Sequence, residues 1–327
     1  MAQKLSTRAL TESSLMTGLA VLFALLGMVP VVGALTILIC GIPITVAAAR
    51  HGSFAGGLSA VLATLLIALL LGPISAISYG LENMLLGFVI GYMLNKRKSG
   101  MKILQSAVMT AGLAALVVFA ISFALMGFSP DAISAYYVEM ETSMLEMYES
   151  SGMVDLLVQQ GNTAAAATAL LQSMVALVIK ISPATMMLLG GLNGALVYWL
   201  TMVLLKRLKV RIPRNTHITS WHLPFNAVWF IIVVWALWLM GDRIPVTWIN
   251  ILTLNCGVVC LVLLFLNGLT TAMHMLHFKE LSTGMRIMWI FLFFMFFTVF
   301  IFAFIILGIA DLLFDFRKKK VDNSKVG

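Results

Sequence analysis

Charge is what this sequence has least of. Only 10% of its 327 residues are Asp, Glu, Lys or Arg, against roughly a quarter in soluble domains, and 61% are hydrophobic. Water is therefore not the solvent of most of the chain. The formal net charge of +8 does not point to nucleic acid, because Lys and Arg stand in short clusters at the ends of apolar runs, where membrane topology requires them. Cysteine is equally sparse. Cys40, Cys256 and Cys260 all lie inside apolar runs and read as small apolar filler. The last two are one helical turn apart, a geometry unsuited to a disulfide. The sequence has no His-Glu-x-x-His, no Gly-x-Ser-x-Gly and no Gly-rich phosphate loop. His274 and His277 share a helix face but have no third partner, too few for a metal site. The expectation is a protein that is not an enzyme and carries no cofactor or metal.

What the chain does have is a series of nearly charge-free runs. Ser13–Val29, Val31–Ala49, Phe54–Leu71, Ile74–Leu94 and Ile103–Met126 come first, and Ile181–Leu205 follows after an interruption. A helix rising 1.5 Å per residue crosses about 30 Å of hydrocarbon in some twenty residues. These runs are apolar on all sides, as lipid-facing helices should be. The expected fold class is an all-α polytopic membrane protein. Three later runs, Phe225–Met240, Val246–Leu266 and Met288–Leu307, would raise the count to about eight to nine transmembrane helices.

The charges between runs give an orientation. Lys4 and Arg8, then Arg50, then Lys96, Arg97, Lys98 and Lys102, then Lys206, Arg207, Lys209, Arg211 and Arg214 fall in alternate connections. The connections at Pro30 and Pro73 carry no charge. The N-terminus is thus expected in the cytoplasm, with six spans over residues 1–211. In the extension, 212–327, the same alternation would leave Arg317 to Lys320 outside, against the rule, so a re-entrant or incomplete segment there stays open. Trp221, Trp229, Trp235, Trp238, Trp248 and Trp289 cluster in this part, several near run ends as interfacial anchors would be.

Residues 129–180 form an outer amphipathic segment. Between Ser129 and Gly161 it carries six acidic residues and no Lys or Arg. A helix over Tyr137–Ser150 would gather Tyr137, Met140, Met144, Met147 and Tyr148 on one face, with Glu141 on the same side out of pattern. Such a segment can lie on the bilayer or cap a cavity. Thr163–Ile179 reads as an interfacial or re-entrant helix, since counting it as a span would put the basic cluster after Leu205 outside. Polar side chains inside spans are few. Glu82 and Asn83 in the fourth span, preceded by Tyr79, and Asn193 in the sixth are the candidates for lining an outward cavity, with Glu141 above it. Their structural alternative is interhelical hydrogen bonding. Ala20 with Ala24, Gly87 with Gly91 and Gly190 with Gly194 mark close helix approach, either inside the bundle or towards a partner.

"TRALTESSLMTGLAVLFALLG", "AARHG", "LLGP" and "GIADLLFDFRKKK" resemble the YybS-type bacterial membrane proteins, grouped as domain of unknown function 2232, over essentially the whole chain. The first six spans are more distantly similar to the S components of energy-coupling-factor vitamin transporters. That second resemblance implies a small molecule bound near the outer face and a transmembrane coupling subunit with ATPases as partner, docked on an Ala-x-x-x-Ala motif matched here by Ala20 and Ala24. The extension after Ile212 departs from that pattern. Two functions stay open: a binding or transport component for an unknown small molecule in the bacterial cytoplasmic membrane, and a non-transporting scaffold or regulator.

Overall fold

The computed structural model describes residues 6–29, 32–125, 130–161, 163–210, 212–213, 221–240, 247–276 and 281–317. All regular structure among them is helical. Seven helices are long and apolar enough to cross a membrane, and four shorter apolar ones accompany them. The chain divides into two compact units, Met1–Thr216 and His217–Gly327.

In the first unit, α1 (Thr7–Leu26) is started by Ser6, whose hydroxyl accepts from the Ala9 N–H at 3.2 Å, a standard N-cap. The run Val31–Ala49 is not one helix. It breaks at Cys40–Gly41 into α2 (Val32–Ile39) and α3 (Ile42–His51), with Pro43 in the first turn of α3. After α4 (Ser53–Leu71) the fourth span is α5 (Pro73–Tyr79), a π-helical turn over Gly80–Met84, and α6 (Leu85–Asn95). α7 (Gly100–Leu125) and α11 (Ser182–Arg207) complete the bundle.

Small residues decide how these helices meet. A methyl group on Gly190 would come within 2.6 Å of the Ala115 Cβ, and one on Gly194 within 2.8 Å of that of Ala111, so α7 and α11 pack antiparallel at close range. Gly41 and Gly87 oppose each other backbone to backbone, and next to them the Thr45 hydroxyl donates across to the Gly87 carbonyl at 2.9 Å. Ala20 and Ala24 are both fully buried among Cys40, Ile44, Ala63 and Ile67. Docking a separate subunit would need them on the surface; they serve this unit's own core.

The outer segment is three helices, α8 (Pro130–Ser150), α9 (Met153–Gln159) and α10 (Ala164–Lys180). α10 buries Ala167, Leu171, Val175 and Ile179, one residue per turn, and its packing partners are chiefly α8 and α9. On α8 the half-buried face is Tyr136, Tyr137, Met140, Glu141, Met144, Leu145 and Tyr148. Glu141 does share the apolar side, whereas Met147, expected there, is 56% exposed.

Among its described residues the second unit has four helices where three runs were expected: α12 (Ala227–Leu239), α13 (Thr247–Met275), α14 (Thr283–Met295) and α15 (Phe297–Phe314). The Met288–Leu307 run is broken at Phe296. The Phe293 and Phe304 rings lie 6.1 Å apart, whereas a straight helix would set eleven residues about 16 Å apart. α13 and α15 run parallel. Phe265 meets Phe304, Asn267 meets Gly308 and then Asp311, and Thr271 meets Arg317, the order rising along both helices. Gly268 and Gly308 allow this contact, because a methyl on either would collide with the other helix's backbone.

Candidate functional site

Neither of the two cavities described below is lined by Tyr79, Glu82, Asn83 or Asn193. Tyr79 is half-buried against the core of the first unit, its hydroxyl beside Gly27. Asn83 is buried and its carbonyl packs on Gly41. Glu82, in the π turn, has no hydrogen-bonding or ionic partner among the described residues, and Asn193 Oδ1 is likewise buried without one. Nothing among the described residues joins Glu82, Asn83, Glu141 and Asn193 by hydrogen bonds or ion pairs. Of the two histidines, His274 sits in the last turn of α13, and His277 lies outside the described residues.

What the first unit does assemble is its basic clusters. Arg50 at the end of α3, Arg97 and Lys98 after α6, and Lys209 after α11 line one cavity of about 830 Å³, together with Asn95 and Ser99. Among the described residues no acidic side chain lines it. Arg50 is steadied from two sides, donating to the Leu208 carbonyl at 3.3 Å and standing 3.8 Å from Glu12. The same Glu12 oxygen contacts His51 Nε2 at 2.8 Å, while its other oxygen takes Arg8 at 2.8 Å.

Two of the four cations are held in an unusual way. α6 ends with Lys98 N–H on the Met93 carbonyl and Arg97 N–H on that of Leu94; α11 ends with Val210 N–H on Leu205 and Lys209 N–H on Lys206. Each is a Schellman ending, whose left-handed position normally goes to glycine. Here those positions are Arg97, at φ 53°, and Lys209, at φ 55°. Left-handed backbone costs a side-chain-bearing residue roughly 1–2 kcal/mol. The one other non-glycine residue with positive φ among the described residues is Asp315, a type that tolerates it better.

A second cavity, about 650 Å³, is apolar. It lies along α4 and the α5–α6 span, from Gly57 and Phe88 to Thr64 and Ile77, with Ile121 of α7 at its side. Thr64 presents no free donor there, because its hydroxyl donates to the Ala60 carbonyl at 2.9 Å.

In the second unit a polar clasp closes the helices on one another. Asn267 accepts the Leu223 N–H at 3.1 Å and donates to the Gly308 carbonyl at 3.1 Å and to Asp311 Oδ2 at 3.3 Å. Arg317 donates to Thr271 Oγ1 at 2.6 Å, Thr270 Oγ1 at 2.9 Å, the Asn267 carbonyl at 3.2 Å and the Trp221 carbonyl. It stands 3.5 Å from the buried Asp311. Burial pushes the Arg317 pKa down, and the Asp311 and Asp315 carboxylates oppose that. Trp221 before α12 and Arg317 after α15 are thus at one end of the unit. Trp221 and Arg317 were singled out from the sequence only as an interfacial anchor and a topology charge, and Asn267, Thr270, Thr271 and Asp311 were not given a role. The one signal was an acid, Asp311, six positions from Arg317 at the end of an apolar run.

A family model described as predicted membrane protein (DUF2232) matches residues 19–312. The chain belongs to that family. No curated protein and no solved structure matches it. The match covers both units, including Asn267 and Asp311 of the clasp and all four cations of the basic cavity.

Proposed function

We propose that this chain is a non-catalytic binding component of the bacterial cytoplasmic membrane and that the basic cavity of the first unit takes an anionic ligand. The observation that carries this is the convergence of Arg50, Arg97, Lys98 and Lys209 on one cavity without a lining acid. Like charges so placed repel one another, and an anion relieves the repulsion. Basic residues at span ends serve topology wherever they point. Topology does not require three separate connections to share a cavity, nor two basic side chains to occupy strained glycine positions. The positive-inside pattern supports a cytoplasmic side for this cavity. That is the opposite face from the outward site the S-component resemblance implies, so Glu82 and Asn193 are not part of this reading. With no phosphate-cradling ATP motif in the chain, any primary energy source for movement of a ligand across the membrane would come from a partner.

The scaffold reading is favoured by one fact: the small-residue pairs Ala20/Ala24, Gly87/Gly91 and Gly190/Gly194 are used inside the first unit. Thermal unfolding of the purified full chain separates the two. Inorganic phosphate and pyrophosphate are expected to stabilise it at low ionic strength, with the effect fading as salt is raised, and uncharged or cationic solutes are not. Absence of any anion-dependent stabilisation would favour the scaffold.

A further inference from the structure

We infer that the ligand of the basic cavity is an amphiphile, with a phosphate-type head among the four cations and a hydrocarbon chain in the apolar groove between α4 and α6. The inference rests on the reading that the basic cavity takes an anion, and adds where the rest of the ligand lies.

Three observations carry it. First, the groove is apolar along its length, and its one hydroxyl, that of Thr64, is already committed to Ala60, so it suits hydrocarbon and little else. Second, groove and cavity share a helix face. Phe88 lines the groove and Asn95 the basic cavity; they stand seven residues apart on α6, two turns and about 10 Å along one side. Tyr92 lies between them, 38% exposed, its ring 6.0 Å from that of Phe88. Phe88 and Tyr92 thus continue the aromatic side of α6 from the groove towards Asn95, and the Lys96 ammonium stands 5.8 Å from the Tyr92 ring. Third, the groove exists because of small side chains. Gly57 sits where an added methyl would reach the Phe88 ring at 3.4 Å, so a larger residue there fills the space without forcing the backbone.

A chain leaving the bilayer for this groove gains no hydrophobic energy, because lipid tails are as apolar as the groove. The advantage of the tail is local concentration: a membrane-borne head meets the cavity far more often than a dissolved anion does. Selectivity comes from the head, and retention from the fit of the chain.

The test uses the full chain in phosphatidylcholine nanodiscs with and without phosphatidic acid, beside soluble inorganic phosphate. Thermal unfolding and native mass spectrometry of retained lipid are the readouts. Phosphatidic acid is expected to be retained over phosphatidylcholine and to stabilise the protein at an effective concentration roughly tenfold or more below that of phosphate. Gly57→Leu and Ala60→Leu should abolish retention and leave the response to inorganic phosphate intact. Arg97→Gly with Lys209→Gly should remove both. If phosphatidic acid is no better than phosphate, or if the groove variants retain it unchanged, the amphiphile is refuted while the anion site stands. Retention of both lipids alike marks ordinary surrounding lipid and equally refutes it. If neither phosphate nor phosphatidic acid has any effect, the anion site itself fails.

Discussion

Replacing Arg97 and Lys209 together by glycine should make the protein more stable and less able to bind. Each side chain holds a left-handed backbone position at roughly 1–2 kcal/mol, a cost glycine does not incur. Glycine also loosens the unfolded chain, which offsets about 0.4–1 kcal/mol per site. The net gain is on the order of 1–2 kcal/mol for the pair, or a few degrees in Tm for a unit of this size. The wild type has a compensating term only when the anion is present: at a ligand concentration a hundred times Kd it gains about 2.7 kcal/mol. Melting curves should therefore cross. Without phosphate or lipid head the glycine variant melts higher, and with saturating anion the wild type does. Arg97→Ala with Lys209→Ala is the control, since alanine keeps the strain and loses the charge, giving neither benefit. A glycine variant less stable than the wild type in the absence of anion would show that these side chains support the fold, and a glycine variant with an unchanged anion response would show that they do not face the ligand.

Three further outcomes are expected. Glu82→Gln should not lower thermal stability, because no hydrogen bond or ion pair is lost; a loss above about 1 kcal/mol would reveal a partner holding the carboxylate. Arg317→Ala should destabilise the second unit by about 3–5 kcal/mol by stranding Asp311, and Asp311→Leu with Arg317→Met should recover most of it in the same unfolding assay. In a protein freed of Cys40, Cys256 and Cys260, cysteines placed at His222 and Phe316, beside the joined Trp221 and Arg317, should label from the same side of the membrane with an impermeant maleimide; labelling from opposite sides would contradict the parallel packing of α13 and α15.

The spans that matched the sequence are those where a twenty-residue apolar run is bounded by charge, glycine or proline, as in α4 between Gly52 and Gly72 or α11 between Pro183 and Lys206. Breaks inside such runs were harder to place. Gly41 and Pro43 mark the interruption at Cys40–Gly41 and Glu82 and Asn83 mark the π turn at Gly80–Met84, but neither ends its apolar run, and the bend at Phe296 has neither glycine nor proline to announce it. The clasp was illegible for another reason: Asn267 and Arg317 are fifty residues apart, and a lone polar residue does not name its partner. The basic cavity lay between these cases. Every one of its cations had been noticed and assigned to topology, and only their meeting in space, with strained backbone at two of them, gives them a second meaning.

The clasp has a consequence for how such a chain is assembled and altered. A helical unit whose first helix is entered and whose last helix is left on one face, as at Trp221 and Arg317, adds no net reversal to the protein that carries it. It can be gained, lost or exchanged as a block without turning any neighbouring segment inside out, and its integrity is decided by contacts it carries within itself.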